Sequence, residues 1–407
     1  MTVQSRKLTF RLVTEQSELF SIVSAWKELI QSSTNPQPMN DPTWLLLWWR
    51  HYGARVDLAV GLLYEGDTLV GLAPMCLRNY VYRFSLVFRR LQFMGLDANE
   101  RDGVFSEYMG FVARAGYEAT VAREFVDLMA ERRFGAWHEL VLGAIDADSQ
   151  VMVLAQAHLA ERGLSCKPTR SMTGYYIKLP STWDGYLRSL SSSRRYRIRN
   201  SISNFVEWAG DKGWALHHAT SPQSFKYGYE TLIALHQARW GSDGGSGVFS
   251  SPRFAAFHSD YIAAQAQSQN VDLAWLTVGN EPIAAVYMIR NGKKVLAYQY
   301  GRVMNTPTKV RVGITINALV IKEAIERGDE EFDFLGGESR YKVDFATDQR
   351  PIVTLRAARS CAREFLRIGL VNARDSLVSA VGASKVLSRR MLAARPDGRA
   401  VVNQADG

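Results

Sequence analysis

Apolar and polar positions alternate along the chain in a way that predicts a mixed succession of strands and helices. The first strand is predicted at Leu8–Val13, and apolar residues at helical spacing predict a helix over residues 17–31. A second helix, T-W-L-L-L-W-W-R-H-Y, carries three tryptophans. Aromatic side chains at this density are more typical of a core than of a ligand platform.

Two β-hairpins, one in each half of the chain, are followed by the same order of elements. The first reads D-L-A-V-G-L-L-Y, the turn E-G-D, and T-L-V-G-L-A-P-M-C-L; the second reads D-L-A-W-L-T-V, the turn G-N-E-P, and Ile283–Arg290. Helices precede each hairpin, and a strand, a loop, a helix and a strand follow it. This order predicts two copies of one mixed α/β domain, related by duplication, with the first ending near Pro180.

The stretch from Val295 to Lys342 predicts a βαβ unit with an anion site. A polar loop containing Lys309 and Arg311 leads into a long apolar helix that begins near Gly313 and Thr315. The N–H groups of a first helical turn have no intrahelical partner and can bind a phosphate, helped by the macrodipole. Arg311 can add a bidentate contact. The first copy has G-L-D-A-N-E-R-D-G in the corresponding place, so anion binding is predicted for the second copy alone.

Composition narrows the class of protein. A chain of 407 residues with 47% hydrophobic and 22% charged residues is long enough for two globular domains. The sequence shows no apolar run of membrane-spanning length and no signal peptide, which predicts a cytoplasmic protein. Its three cysteines are far apart and form no C-x-x-C pair, so neither a disulfide framework nor a metal site is predicted.

The net charge of +9 is concentrated near the C-terminus, where ten Lys and Arg from Pro351 onward face four Asp and Glu. Arg359, Arg363, Arg367 and Arg374 are interleaved there with apolar residues, which predicts a basic amphipathic helix. Such a helix can lie on an anionic membrane or touch nucleic acid, or it can close the domain with a solvated basic face. A peripheral membrane contact is therefore one expectation for this tail.

Two further segments carry candidate binding residues. The run S-S-S-R-R-Y-R-I-R-N predicts a helix with Arg195 and Arg199 on one face, either a grip for phosphates of a cofactor or RNA, or a solvated face. The helix L-H-Q-A-R-W offers His236, Arg239 and Trp240 within about one turn, and a glycine-rich loop follows it that can act as a lid.

These segments together carry a family resemblance. The series W-D-G-Y-L-R-S-L-S-S-S-R-R-Y-R-I-R-N, L-H-Q-A-R-W, Y-Q-Y-G and R-G-D-E-E-F-D-F-L-G-G-E-S-R-Y-K resembles the CelD-like, or BioF2-like, acetyltransferases of the GNAT superfamily, which are related to the FemAB peptidyltransferases. The resemblance covers roughly residues 170–353 strongly and the first half more loosely.

The resemblance implies two tandem GNAT-like domains, at residues 1–180 and 181–355, followed by the basic helix and tail at 356–407. It also implies transfer of an acyl group from acyl-CoA, acetyl-CoA or a longer thioester, to an amine, and a pyrophosphate-binding loop of pattern Q/R-x-x-G-x-G/A. The nearest match is V-R-V-G-I-T, in which the basic residue is displaced by one position and Thr315 replaces the small final residue. FemAB relatives take aminoacyl-tRNA instead, which leaves tRNA as an alternative donor. A third interpretation is a non-catalytic accessory protein of a polysaccharide-synthesis complex, which the basic tail can contact.

The chemistry of amine attack on a thioester needs a base, an oxyanion donor and an acid for the leaving sulfur. Glu338 is the first candidate base, because it directly follows the F-D-F-L-G-G strand, and His236 is the second. Backbone N–H groups near Tyr298 and Tyr300 can meet the oxyanion. Tyr341 is the candidate acid, and Lys342 can hold a carboxylate or phosphate.

Overall fold

The fold was analysed in a computed structural model, which describes residues 8–82, 85–96, 102–164, 168–242, 244–359 and 362–370. Helices and strands of the first half follow in chain order: β1 (Leu8–Val13), α1 (Gln16–Ser21), α2 (Val23–Gln31), α3 (Pro42–Tyr52), β2 (Val56–Leu58), β3 (Val60–Glu65), β4 (Thr68–Ala73), β5 (Met75–Val81), β6 (Val87–Phe93), β7 (Val112–Ala113), α4 (Glu118–Ala130), β8 (Glu139–Asp146), α5 (Gln150–Glu161) and β9 (Pro168–Lys178).

The second half begins with four helices and a short strand and then repeats the strand order. Its elements are α6 (Trp183–Ser189), α7 (Ser192–Ala209), β10 (Trp214–His218), α8 (Pro222–Ser242), α9 (Pro252–Gln265), β11 (Val271–Val278), β12 (Glu281–Asn291), β13 (Lys294–Arg302), α10 (Val312–Glu326), β14 (Glu331–Gly336), α11 (Arg340–Phe345) and β15 (Asp348–Ala358). Residues 362–370 are helical.

Both predicted hairpins form. β11 and β12 pair antiparallel around a turn with Gly279 in the left-handed region, and β3 and β4 do so around Gly66. The first hairpin differs in one respect, because its two long strands are broken at Ala59 and Pro74 and their outer parts, β2 and β5, join a second sheet. The predicted helix over residues 17–31 is also two helices, which meet at Ile22.

One sheet runs through both halves of the chain. Its strand order is β10-β11-β12-β13-β14-β9-β15-β8-β6-β5-β2, while β1, β3, β4 and β7 form a smaller sheet. The last strand, β15, lies between β9 and β8 and pairs antiparallel with both. β9 precedes the predicted boundary at residue 180, yet both of its neighbours come from the second half.

Each half contains a parallel strand pair that opens after three paired positions. β6 and β8 pair from Arg90–Glu139 to Gln92–Val141, and helix α4 connects them. β13 and β14 pair from Lys294–Glu331 to Leu296–Asp333, and helix α10 connects them. The repeat predicted from the hairpins therefore extends to the βαβ unit that follows each one.

Aromatic side chains fill the interface between the two halves. Trp44 and Trp48 of α3 are fully buried, as their density predicts, and Trp44 packs edge-on against Phe257 and Tyr261 of α9. The buried cluster that contains these side chains draws residues from both halves of the chain. A second cluster lies around α10 and α7.

The C-terminal helix is described over residues 362–370. Glu364 is buried and accepts hydrogen bonds from Arg356 and Arg367, whereas Phe365, Leu366 and Ile368 are exposed. Arg374 lies outside the described residues, and a membrane or complex contact through this tail stays a prediction. No helix in the described ranges is long and apolar enough to cross a membrane.

Candidate active site

A cavity of about 420 Å³ opens where β13 and β14 separate. A bulge at Tyr298 shifts the register between β12 and β13, so that Tyr287 pairs with Gln299 and Met288 with Ala297. Beyond Leu296, β13 no longer pairs with β14. Backbone groups on that side of β13 are therefore not committed to the sheet ladder and are available to a ligand.

A second cavity, of about 290 Å³, adjoins the first. Arg239, Tyr300 and Tyr341 line both cavities, so the two share part of their walls, and we call the pair the cleft. We call the larger one the splay cavity and the smaller one the helix cavity. The helix cavity lies at the start of α10 and is lined by Arg302, Arg311 and Gly313.

The helix cavity has the character of an anion site. Helix α10 begins at Val312 without a side-chain cap. The Ile314 and Thr315 N–H groups donate to the Arg311 carbonyl, and the N–H groups of Val312 and Gly313 precede these first bonds of the helix. Arg239, Arg302 and Arg311 add three guanidinium groups to the lining. A positive helix end together with arginines favours phosphate. Lys309 and Arg311 line a third, neighbouring groove, between α7 and this loop.

The first half contributes a side chain to the splay cavity. Residues 102–111, the bridging segment, lie between β6 and α4 and reach across to the second half. The Val104 carbonyl accepts a hydrogen bond from Tyr298, the Glu107 carboxylate accepts one of 2.7 Å from the Gly336 N–H, and the Tyr108 hydroxyl donates one of 2.9 Å to Asp333.

Glu107 lines the splay cavity although it is only 6% exposed. Burial, helped by the nearby Asp333, raises the pKa of Glu107 to about 7, although the Gly336 N–H and Lys342 oppose the rise. A carboxyl group with a pKa near neutrality exchanges its proton readily at physiological pH, which is the property of a general base. Phe105 and Tyr108 have positive φ angles of 45° and 58°, so strained backbone flanks Glu107.

The end of β14 is shaped by its own side chains. Asp333 is fully buried and accepts hydrogen bonds from the Leu335 N–H and the Tyr108 hydroxyl, and the Arg350 guanidinium lies 3.9 Å away. Asp333 is therefore paired rather than solvated. Leu335 itself has a φ of 60°, a left-handed conformation that is costly for a leucine and that turns the chain out of the strand.

Lys342 and Tyr341, on helix α11, both line the splay cavity. The Lys342 ammonium donates to the carbonyls of Leu335 and Gly336, at 3.2 Å and 2.5 Å. Burial lowers the pKa of Lys342, with Glu107 and Asp333 opposing the change. Burial raises the pKa of Tyr341 to about 12, so its hydroxyl keeps its proton at neutral pH and can donate it.

Helix α8 closes the cavity on the opposite side. A side chain at Gly301 would come within 2.8 Å of backbone atoms of His236 and Leu232, so glycine lets α8 press against β13. The His236 ring accepts a hydrogen bond of 3.0 Å from the Trp240 indole. Burial lowers the pKa of His236 to about 4, which keeps the ring neutral at physiological pH.

The cleft brings together most of the residues predicted from sequence. The splay and helix cavities are lined by His236, Arg239, Trp240, Tyr298, Tyr300, Arg311, Gly313, Tyr341 and Lys342. Thr315 is fully buried and its hydroxyl faces Ser201 of α7 instead. Glu338 is exposed and lies outside the lining of both cavities. The catalytic and binding roles of all these residues stay predictions.

The two arginines predicted as a phosphate grip lie on α7. Arg199 is exposed and Arg195 is half-buried, and neither lines the splay or helix cavity. Their neighbours are structural: Arg194 donates to the Asp344 and Ala346 carbonyls, and Arg197 pairs with the Asp344 carboxylate. These bonds fix α7 against the end of α11.

Sequence reasoning missed Glu107. Its segment, V-F-S-E-Y-M-G-F, has no motif of its own, and only a long-range contact brings it to β14. The available signal was the length of the chain between β6 and α4, residues 94–117, compared with residues 303–311 between β13 and α10. A long insertion in one copy of a repeat often carries function.

Comparison with known proteins finds one matching family. The profile of the acetyltransferase (GNAT) domain matches residues 192–343, from the start of α7 into α11. The curated proteins contain no match to the sequence.

Solved structures extend the likeness to both halves of this tandem GNAT-fold protein. FemX is similar at a TM-score of 0.59 and 10% identity, covering 86% of this chain and 97% of its own. L-PGS from Bacillus licheniformis is similar at a TM-score of 0.50 and 12% identity, covering 86% of this chain and 94% of its own. The predicted fold class, two GNAT-like domains in a FemAB-like arrangement, is confirmed. The narrower CelD-like assignment stays a prediction.

Proposed function

We propose that the protein is an N-acyltransferase that moves an acyl group from acyl-CoA to an amine. The observation that carries the proposal is the pair of adjoining cavities, one at the arginine-lined start of α10 and the other beside the buried carboxyl group of Glu107. One end suits the phosphates of the donor and the other suits an amine that must lose a proton. The GNAT fold of residues 192–343 agrees with acyl transfer in general.

The donor would occupy the helix cavity. Its pyrophosphate would bind the first-turn N–H groups of α10 and the guanidinium of Arg311. The thioester would then extend along the open side of β13 toward Tyr298 and Tyr300. Arg311 also lines the groove next to α7, where Lys309 and the exposed ring of Tyr196 can contact the distal part of the donor.

The transfer step uses three groups around the splay cavity. Glu107 accepts a proton from the amine, and the amine nitrogen attacks the thioester carbonyl carbon. Backbone N–H groups of β13 stabilise the oxyanion. The carbon–sulfur bond then breaks, and Tyr341 donates a proton to the leaving thiolate, which yields an amide and free CoA. Lys342, beside Glu107 and the end of β14, orients the carboxyl group and adds positive charge.

Ligand-induced stabilisation and thiol release test this proposal. CoA at millimolar concentration should raise the melting temperature of the wild-type protein. Arg311→Ala should lower the apparent affinity for CoA by about tenfold or more and so reduce this shift. Lys322→Ala, on the exposed face of α10, is the matched control and should behave as wild type. A thiol assay with acyl-CoA and a panel of amines then measures turnover.

Two results would contradict the proposal. The absence of any thermal shift with CoA would exclude CoA as the donor. CoA binding without thiol release across the amine panel would favour a non-catalytic accessory protein. A co-purifying CoA species, identified by mass spectrometry, would name the acyl chain directly.

An aminoacyl-tRNA donor is the second candidate. The fold likeness to FemX favours it, and so does the basic helix α7, which lies next to the groove lined by Lys309 and Arg311. This reading predicts tRNA binding whose affinity falls steeply with salt, and a loss on changing Arg195 and Arg199 to alanine. Salt-independent or undetectable tRNA binding would exclude an aminoacyl-tRNA donor.

A further inference from the structure

The first copy contains a cavity at the place where the second copy has its helix cavity. This cavity of about 210 Å³, which we call the acidic cavity, is lined in part by the start of α4, the end of β8 and the start of α5. Residues 33–37 and 108–113 form the rest of its wall, together with Ile30 and Asn40. The corresponding elements of the second copy are α10, β14 and α11. Duplication therefore left two related cavities, one in each half.

The charges around the two cavities are opposite. Arginines line the helix cavity, whereas Glu118, Asp146 and Asp148 line the acidic cavity. Asp146 lies 3.6 Å from Arg350 and accepts a hydrogen bond from the Asp148 N–H, and Asp148 is exposed. Glu118 is 8% exposed and accepts a hydrogen bond of 3.2 Å from the Thr34 hydroxyl, but no cation pairs with it within the described part of the chain.

Two buried amide oxygens point to a ligand. Within the residues that the structure describes, the side-chain oxygens of Gln37 and Asn40 have no hydrogen-bond donor, although these residues are only 7% and 5% exposed. Both residues line the acidic cavity. Their amide nitrogens are engaged, that of Gln37 with Asn35 at 2.8 Å and that of Asn40 with the Tyr108 carbonyl at 3.4 Å. This engagement sets the oxygens as acceptors.

Leaving two buried acceptors without donors is costly, at about 1–3 kcal/mol each. A carboxylate at the first turn of α4 is accounted for by the helix macrodipole alone. That explanation does not extend to the oxygens of Gln37 and Asn40, which gain nothing from the helix. A donor-rich cation in the cavity would supply donors to both amide oxygens and a countercharge to the Glu118 carboxylate.

We propose that the acidic cavity binds the primary ammonium group of a small amine. An ammonium group carries one positive charge and three N–H donors, which match one carboxylate and two amide oxygens. Tyr108 lines the same cavity, and its neighbour Glu107 lines the splay cavity. An amine bound here would therefore contact the bridging segment on the side away from the splay cavity. The binding does not depend on the acyl-transfer proposal.

Calorimetric titration with n-butylamine, in the absence of any acyl donor, tests this site. We expect Glu118→Gln to weaken binding by about ten- to a hundredfold, because a charge-assisted hydrogen bond is lost. Glu124→Gln, on the same helix, is the matched control and should bind as wild type. Tetramethylammonium, which has the charge but no N–H group, should not bind. Gln37→Met provides a second variant that removes an acceptor without changing charge.

Amine binding in the splay cavity is separated from binding here by Glu107→Gln, which should leave the acidic cavity intact. Equal affinity in Glu118→Gln and wild type would overturn the proposal, as would binding of tetramethylammonium or a preference for Mg²⁺ or Ca²⁺ over the amine. Loss of binding in Glu107→Gln alone would assign the amine to the splay cavity and would also overturn it.

Discussion

The two copies of the GNAT-like domain use the same βαβ unit for different purposes. In both, parallel strands pair at three positions and then separate. The second copy keeps the short connection, residues 303–311, and leaves the opening between its strands free as a cavity. The first copy has a much longer connection, whose bridging segment fills space between the halves. One copy therefore offers a cleft, and the other completes it.

Under the proposed function, the active site draws on both copies. The second half supplies the arginines, the open strand and helix α11, while Glu107 comes from the first half. Each copy is incomplete for the proposed chemistry.

The strongest test of this division is Glu107→Gln. If Glu107 is the base, the rate of acyl transfer should fall by about 10²–10⁴-fold, because general-base catalysis contributes about that much. Glu338→Gln serves as the comparison, since Glu338 is exposed at the end of β14, and it should lose little activity. A steady-state thiol assay measures both variants, with circular dichroism as the check of fold. A larger loss in Glu338→Gln would restore the base predicted from sequence.

The pH dependence of stability gives a second test. Burial raises the pKa of Glu107 to about 7 from 4.5, so the folded state holds a proton that the unfolded state releases. Stability should therefore fall as the pH rises from about 4.5 to about 7, by about 3 kcal/mol. Glu107→Gln should remove this fall and be more stable than wild type at pH 8. Urea unfolding at several pH values checks the sign, and parallel curves for the two proteins would contradict it.

Tyr108→Phe tests the contact between the copies at its buried end. The change removes the Tyr108 hydroxyl, which donates a hydrogen bond of 2.9 Å to the buried Asp333 carboxylate. Loss of this bond should lower the free energy of unfolding by about 1–3 kcal/mol. Activity should fall as well, because the bridging segment that holds Glu107 loses an anchor. Tyr227→Phe, at a ring that is 46% exposed, is the control for removing a hydroxyl group. Equal stability of both variants would show that the anchor is dispensable.

A smaller pH dependence of stability should come from two histidines, one bonded to each of the connecting helices α10 and α4. His218 donates to Asp272 and to Glu323 of α10, and His158 donates to Asp127 of α4, each at 2.8 Å. Burial opposes the charge on His218, but these hydrogen bonds outweigh it and raise its pKa to about 10. The resulting stability is present below pH 6.5 and is lost as the pH rises through 10.

We therefore expect the stability difference between wild type and His218→Asn to shrink from pH 6 to pH 10. Burial also opposes the charge on His158, and hydrogen bonds with Glu161 and Asp127 raise its pKa. His158→Asn should show the same direction with a smaller amplitude, because one of its partners, Glu161, is largely exposed. Denaturant titrations across this range make the measurement. A larger amplitude for His158→Asn would reverse the ranking.

Local pattern was enough to predict most elements of the fold. β1 has the predicted bounds, both hairpins form around their glycine turns, and Val312–Glu326 is the predicted apolar helix. These features depend on neighbouring residues. The break at Pro74 was not predicted, because it follows from the strand crossing between two sheets, which is a tertiary event.

The residues of the candidate site also fall into those that local sequence predicts and those that depend on tertiary contacts. Arg311 and Gly313 could be found from the start of a helix, and Tyr341 from a family motif, since each belongs to a continuous segment. Glu107 could not be found, because its importance lies in a bond to Gly336. Its raised pKa comes from burial by the other half of the chain, and the sequence near residue 107 carries no trace of that burial.

The position of β15 has a consequence for synthesis of the chain. Because β15 lies between β9 and β8, both of those strands keep an unpaired edge until residues 348–358 have left the ribosome. A nascent chain that has released only its first half would present adhesive edges to other nascent chains. Separate expression of residues 1–180 should therefore give aggregates, and rescue by a peptide spanning β15 would measure how much the late strand protects.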